Sequence, residues 1–504
     1  MNNIYPLTQL SDRIKKIKSR GKRIILCHGV FDLLHIGHIR YFKQAKEYGD
    51  ILVVTITPDI YVNKGPDRPA FNQSYRSEAI AALGIVDYVS VNEWPTAIET
   101  IKTLKPDFYV KGSDYKNHDD DVTGNISLEK NAVESVGGKI IYTSDITYSS
   151  SSLINERIHE FTSEQSSHLR KLKKKYSSND IISYFEKLKT KKVLIVGEII
   201  IDEYVFTRGV GKSGKEPILV SQKIKVEKYA GGVLAVANNI SGFCDNIKIL
   251  SFIGDRDNQE VFIKNNINSN IEIDTVTKAD SPTINKTRFI DNYTKNKLVG
   301  IYDLNDAMLN KVEEKKLNEK IDKCINDYDL VIAVDYGHGL VSKNIANNLI
   351  SNSKFLAINT QINSFNIGYQ DISKFKNIDY ICINESELRH YYRNRFDKIE
   401  TLIKKFYKET KSQTIMITRG TSGSIAFKDG KFFKSPAYAD KVVDRVGAGD
   451  VLLGITSLCL EAGIPNDLSI FIGNLAAAET VKVTGTGNVL EKVNLVKAVQ
   501  YLLK

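Results

Sequence analysis

The chain has 504 residues, a formal net charge of +10 at pH 7, and 42% hydrophobic against 26% charged residues. That length exceeds one ordinary core, so two domains are expected, and the balance excludes a disordered chain. No apolar run reaches the roughly 20 residues of a membrane helix, so no membrane partner is expected. The start, MNNIYPLTQLSDRIKK, has no hydrophobic h-region, so a secreted protein is not expected. Cys27, Cys244, Cys324, Cys382 and Cys459 are scattered without a C-x-x-C pair. This spacing argues against a zinc site or a disulfide framework and leads to the expectation of a cytoplasmic protein. The positive charge is partly local: residues 163–192 carry nine Lys/Arg against three Asp/Glu. No helix-turn-helix or RNA-binding motif accompanies it, so nucleic acid is set aside as a partner.

In chain order, short apolar runs predict strands at 23–27, 51–56, 86–91, 107–111 and 139–143. Helical patterns at 36–48, 74–83, 96–104 and 126–136 alternate with them. Such alternation gives βαβ units and a parallel sheet. A basic stretch near 160–190, with a helix at 179–189, marks the seam. A second α/β series begins at 192–196 and continues with strands at 247–252, 330–334, 355–359, 379–383 and 414–418, ending in an apolar, small-residue region at 448–482. The expected organisation is a domain over 1–160, a basic linker and helix over 161–190, and a second domain over 191–504.

After the first strand, Gly29 permits a close turn, and a helix opens on His35-Ile36-Gly37-His38. Two histidines three apart share a helix face, beside backbone N–H groups that lack intrahelical partners. Such a position favours phosphate. A chance pair on a solvated helix is the plain alternative. Gly29-Val30-Phe31-Asp32 before the box and Gln44-Ala45-Lys46 after it argue for function. Lys111, at the end of strand 107–111, leads into Gly112-Ser113-Asp114-Tyr115 at the sheet's carboxyl edge, where ligands bind. Ser149, Ser150 and Ser151 open the last helix of the domain, as phosphate contacts or as a simple N-cap cluster.

Together these boxes, over residues 20–158, resemble the cytidylyltransferase-like nucleotidyltransferases. The resemblance implies a Rossmann-like parallel sheet. It implies His35 and His38 as donors to a nucleoside triphosphate, Lys46 as a fixed cation, and Gly29, Phe31, Lys111, Ser149, Ser150 and Ser151 as nucleotide or phosphate contacts. Lys-Gly-x-Asp-Tyr, with Ser144 where relatives carry arginine, is similar to the heptose 1-phosphate adenylyltransferases, while His28 replaces their asparagine. ATP is favoured in this domain and CTP stays open.

In the second domain, Gly447-Ala448-Gly449 offers consecutive N–H groups at a helix start, with Asp450 placed to take a proton from a hydroxyl. Asn384-Glu385-Ser386-Glu387 follows a strand and also fits a plain helix cap. Gly211-Lys212-Ser213 is no P-loop, because Phe206 stands where its first glycine belongs. Residues 190–500 resemble the ribokinase-like carbohydrate kinases, which implies an α/β/α fold. By that resemblance Asp450 is the catalytic base and Gly447, Ala448 and Gly449 form the anion hole. Asn384 and Glu387 organise Mg²⁺ indirectly, together with the phosphates, and Thr418 and Gly420 lie on the nucleotide side. Asp202, Gly231, Gly232, Lys286, Arg288 and Asp335 surround the sugar, and the enzyme pairs through this domain. Ala235 and His338 depart from the asparagine and lysine expected there.

Bifunctional heptose-activating enzymes join these two modules, usually kinase first; here the order is reversed. The expected function is a sugar kinase coupled to a sugar 1-phosphate nucleotidyltransferase, using ATP and Mg²⁺. The alternatives are a polyol-phosphate cytidylyltransferase with a kinase-like binding module, and a non-enzymatic sensing scaffold.

Overall fold

The computed structural model describes residues 3–62, 69–112, 125–143, 161–370, 372–439, 442–482, 485 and 489–503. The chain divides into two compact units, Met1–Thr162 with Val496–Lys504, and Ser163–Leu495.

The first unit holds five parallel strands, β1 (Ile24–Gly29), β2 (Ile51–Ile56), β3 (Tyr88–Val91), β4 (Phe108–Lys111) and β5 (Lys139–Tyr142). Their order is β3-β2-β1-β4-β5. Parallel strands covered on both faces read as unbroken apolar runs, and alternate residues of one run face opposite layers. Ile24 and Leu26 accordingly pack with Leu10, Ile101 and Tyr109, whereas Ile25 and Cys27 pack with Phe42, Val54 and Val110. The helix Leu7–Lys18, which the sequence reading did not anticipate, supplies part of the first layer. The strand order reverses between β1 and β4, which opens a crevice at their carboxyl ends.

The second unit has a nine-stranded and a four-stranded sheet. The larger sheet contains β6 (Lys192–Gly197), β9 (Asn246–Gly254), β10 (Ile271–Lys278), β13 (Leu330–Asp335), β14 (Leu356–Thr360), β15 (Tyr380–Asn384), β16 (Thr414–Thr418), β17 (Ser424–Lys428) and β18 (Lys431–Ser435). They run in the order β10-β9-β6-β13-β14-β15-β16-β17-β18, with β17 alone antiparallel to the rest. Its switch point falls between β6 and β13. The smaller sheet, ordered β12-β11-β7-β8, is built from β7 (Ile199–Lys212), β8 (Leu219–Gly232), β11 (Ile284–Asp291) and β12 (Lys297–Asp303). Register places Lys286 beside Asp202 and Tyr302, and Arg288 beside Tyr204 and Gly300, on one face. Val299 and Ile301 alternate to the other face and are more than half exposed.

The basic stretch after residue 160 forms helices Ser163–Lys173 and Ser178–Lys189. Gln165 donates to Ala437 O, and Lys175 and Tyr176 both donate to Asp467, so this segment is part of the second unit. Helix Ala448–Glu461 is buried continuously from Asp450 to Cys459. Among the described residues no helix is long and apolar enough to cross a membrane.

Two tests follow from these packings. A Cβ on Gly197 would lie 2.1 Å from the Val334 carbonyl oxygen on the paired strand. Gly197→Ala is expected to destabilise the second unit by about 2 kcal/mol, read as a lowered calorimetric transition. His28 is buried between Thr55 (Nδ1 to Oγ1, 2.9 Å) and Thr57 (Nε2 to Oγ1, 3.3 Å), and burial, aided by Lys111, lowers its pKa to about 4. Stability from this depressed pKa is complete above the unfolded value near 6.5 and is lost as pH falls towards 4. The loss reaches about 3 kcal/mol. Fluorescence of the single tryptophan, Trp94, packed on the core of this unit, should report it, and His28→Asn should flatten the slope.

Candidate functional site

In the first unit, β1 ends at Gly29 and the chain turns through Phe31 into helix Ile36–Lys46. Phe31 adopts φ 47°, unusual for a bulky residue. Its ring packs edge-on to His38, with centroids 5.4 Å apart, and lies 5.1 Å from Phe42. A Cβ on Gly29 would meet Phe31 Cζ at 3.0 Å, so glycine lets the ring tuck in. Phe31, expected to touch the nucleotide, is buried and packs against His38.

His35 is the N-cap of that helix; its Nδ1 accepts the Gly37 N–H at 3.0 Å. Acceptance at Nδ1 puts the proton of the neutral ring on Nε2. Burial lowers the His35 pKa, keeping the ring neutral. The His35 and His38 rings stack at 4.0 Å and 26°, and both are partly exposed. The unit therefore presents two stacked imidazoles at a helix N-terminus, next to the β1–β4 crevice.

Lys111 closes that crevice from β4. Its ammonium pairs with Glu129 Oε2 at 2.9 Å, both side chains nearly buried. Glu129 also accepts from Tyr109 OH (2.9 Å) and the Ala97 N–H (3.3 Å). Lys46 is a correction. It sits at the opposite end of the 11-residue helix, about 15 Å from His35 by helical rise. There it binds the Asp87 carboxylate and Asp50 O beside the amino end of β2. It thus ties helix to sheet and has no place at the histidine box. Ser149, Ser150 and Ser151 lie outside the described residues. Arg76, which no spacing signalled, is fully buried and holds the crevice rim, donating to Val30 O, Phe71 O, Thr57 O and Asp59.

In the second unit, Asp450 lies in the first turn of helix Ala448–Glu461, capped by Gly447 at φ 84°. Its Oδ1 accepts from Tyr336 OH (3.0 Å) and Gln361 Nε2 (3.2 Å), donors that follow β13 and β14. Burial, with Asp202 nearby, raises its pKa to about 7 against the opposing Tyr336 bond and Lys286. A Cβ on Gly449 would meet nothing within 4 Å, so open space adjoins the glycine turn.

Asp202 pairs with Arg288 at 2.5 Å. A Cβ on Gly231 would lie 2.3 Å from Asp202 Oδ2, and one on Gly232 (φ 58°) would lie 2.4 Å from Glu198 O. Gly231 therefore gives the aspartate its room, and Gly232 lets the chain pass close to the backbone at Glu198. Lys286 is nearly buried; desolvation lowers its pKa although Asp202 opposes this, and its ammonium lies 5.7 Å from the Tyr302 ring centre. Asp202, Arg288 and Lys286 together form a charged, largely desolvated wall.

Asp335 is buried at the end of β13; its Oδ1 accepts the Gly337 N–H at 3.1 Å, and its Oδ2 lies 2.5 Å from the ammonium of Lys374, which follows β14. His338 is buried, with Nδ1 2.7 Å from Asp306. Asn384 and Glu387 form a reciprocal capping box at 2.8 and 2.7 Å, and Glu387 also accepts from Ile362 N–H. Burial raises the Glu387 pKa to about 7. Thr418, the strand partner of Asn384, ends β16, and Gly420 turns beyond it at φ 56°. Tyr336, Gln361 and Glu198 escaped the sequence reading; each is a lone residue after a strand, without a spacing to mark it.

Comparison with known proteins agrees with this geometry. Residues 190–493, more than half of the chain, match the pfkB family carbohydrate kinases, and residues 26–157 match the cytidylyltransferase-like family. Bifunctional protein HldE of Nitratiruptor sp. is 44% identical over 127 residues, covering 25% of this chain and 27% of that protein. The same-named protein of Geobacter metallireducens is 40% identical over 139 residues, 27% of each. The chain thus spans under a third of the length of the curated relatives it matches. Phosphofructokinase-2 from Escherichia coli in complex with potassium superposes with a TM-score of 0.52 and 16% identity over 62% of this chain and 100% of that one. Its tetrameric inhibited form gives 0.51 and 14% over the same shares, a likeness of fold. By the span of its second unit, the chain belongs to the pfkB family of carbohydrate kinases.

Proposed function

We propose that the chain is a bifunctional enzyme of nucleotide-sugar synthesis, with residues 191–504 as a kinase for a heptose-like sugar or sugar phosphate. Residues 1–160 then transfer a nucleotidyl group, adenylyl in preference to cytidylyl, to a sugar 1-phosphate with release of pyrophosphate. The observation that carries the kinase reading is the buried Asp450 carboxylate at the glycine-turned helix start, gripped from two strand ends and facing the Asp202–Arg288 wall. A carboxylate with a pKa near 7 is matched to taking a proton from a sugar hydroxyl as it attacks a phosphoryl group. The Gly447–Gly449 turn supplies N–H groups for the charge that spreads over the transferring oxygens. In the first unit, the His35 and His38 rings donate to the triphosphate while Lys111, braced by Glu129, adds charge at the crevice.

Mg²⁺ fits the carboxyl end of β15. This ion takes one or two protein oxygens and completes its shell with water and phosphate. Among the described residues no group of three His, Cys, Asp or Glu forms a protein cage. The oxygens of Asn384 and Glu387 accept backbone N–H groups, so they would hold the ion through water, where it neutralises phosphate charge. The partner in assembly is a second copy of the chain, through the outer face of the four-stranded sheet that exposes Val299 and Ile301.

With ATP and a panel of sugars and sugar phosphates, the protein should form ADP. Asp450→Asn should lower this by about 10²–10⁴-fold, and wild-type kcat/KM should climb with pH through about 7 as the base ionises. An unchanged rate in Asp450→Asn would remove the proposed base. With sugar 1-phosphates, pyrophosphate release should fall roughly 10²–10³-fold in His35→Ala and in His38→Ala. Equal release by variants and wild type would remove the histidine box from the chemistry.

A further inference from the structure

The first residue of the Asp444–Asp450 segment has no role in the scheme above, yet it is a junction. The Asp444 carboxylate is buried and receives Lys297 Nζ at 2.8 Å on Oδ1 and 3.1 Å on Oδ2. It also accepts from Tyr204 OH (3.2 Å) and from the Gly485 (3.1 Å) and Val446 (3.2 Å) N–H groups. Lys297 begins β12 and Tyr204 lies on β7, so both belong to the four-stranded sheet that carries Asp202, Lys286 and Arg288. Asp444 leads, within six residues, through the glycine turn to Asp450. Among the described ion pairs, Lys297–Asp444 is the one that joins this sheet to that segment.

The sheet is shaped for the contact. The β11–β12 register slips by one between Phe289 and Ile290, bringing Lys297 opposite Ile290 where an even register would bring Leu298. Such an irregularity re-aims a side chain, and here it turns Lys297 to the face that bears Lys286 and Arg288. The ammonium also lies 5.6 Å from the Tyr204 ring centre, which Arg288 approaches at the same distance. Lys297 remains 40% exposed while Asp444 is 7% exposed. The ion pair thus has one fixed, desolvated end and one end in reach of water, a construction that opens and recloses readily.

We propose that Lys297 and Asp444 form an ionic latch that holds the acceptor-bearing sheet to the phosphoryl-transfer turn and so sets the acceptor hydroxyl in line with Asp450. They are positioning residues: neither is assigned a contact with substrate. A misaligned acceptor leaves the transferring phosphoryl group to water, so the latch also governs how much ATP hydrolysis accompanies transfer. The kinetic part of the inference rests on the kinase reading above; the latch itself does not.

The test uses the full chain as wild type, Lys297→Met and Lys297→Arg, with unfolding midpoints measured alongside. Hydrogen exchange of peptides covering residues 444–451, without ligand, should quicken roughly tenfold in Lys297→Met and return close to wild type in Lys297→Arg. Unchanged exchange in Lys297→Met overturns the latch, whatever the enzyme turns over. With ATP and the best acceptor of the sugar panel, Lys297→Met should lose roughly tenfold in kcat with KM for ATP within about twofold. Its ADP formed per acceptor phosphorylated should rise, and Lys297→Arg should restore both. Equal kcat and coupling in Lys297→Met and wild type overturn the positioning role. Loss that tracks only a lowered unfolding midpoint, without uncoupling, overturns it too. A wild type that forms no ADP with any acceptor instead sinks the kinase reading, and the exchange result then decides the latch alone.

Discussion

The carboxylate of Glu198 sets the course of the chain on which the second unit's chemistry depends. It is fully buried just past β6, and it accepts the N–H groups of Tyr336, His338 and Leu340 at 3.0, 3.0 and 3.3 Å. One side chain just past β6 thereby dictates the loop after β13, across the switch point of the sheet. Burial and the neighbouring Asp335 raise the Glu198 pKa, and the three N–H bonds counter that shift. With the loop so fixed, Tyr336 reaches Asp450 and its carbonyl holds Asn363 and Asn366, which anchor the chain after β14. A buried carboxylate satisfied by backbone donors is costly to disturb, because removing its donors leaves a desolvated charge.

The first unit solves a similar problem with different groups. Arg76 is a buried cation whose donors all meet carbonyls or a carboxylate on the rim of the β1–β2 edge. Asp32 is a buried anion that accepts the Ala70 and Phe71 N–H groups. Between them the chain after β1 and the chain after β2 are pinned together, so the His35 and His38 rings stand on backbone that has little freedom to move. Glu129 plays the corresponding part for Lys111. In both units, charges inside the protein hold the loops that adjoin the groups nearest the proposed reaction.

The parallel strands were legible in the sequence because burial on both faces writes them as apolar runs, and the observed β1, β2, β6, β13, β15 and β16 fall on the expected stretches. The four-stranded sheet was not. Strand β8 is exposed along most of its length and rich in lysine, so neither alternation nor an apolar run marks it. The histidine box and the glycine turn were visible because each sets particular residue types side by side at a helix start. Lys46 misled for the same reason in reverse: its nearness in sequence to the histidines carries no information about distance along a helix. Glu198, Arg76 and Glu129 act through contacts far apart in sequence, which no local pattern records.

Helix Ala448–Glu461 is enclosed on nearly every side, whereas the four-stranded sheet leaves much of its surface in water. A mutation near Asp450 must be absorbed by a packed interior, while a mutation on the sheet meets solvent. The packed helix therefore resists change around Asp450, whereas the outer face of the sheet, where Val299 and Ile301 lie, tolerates it.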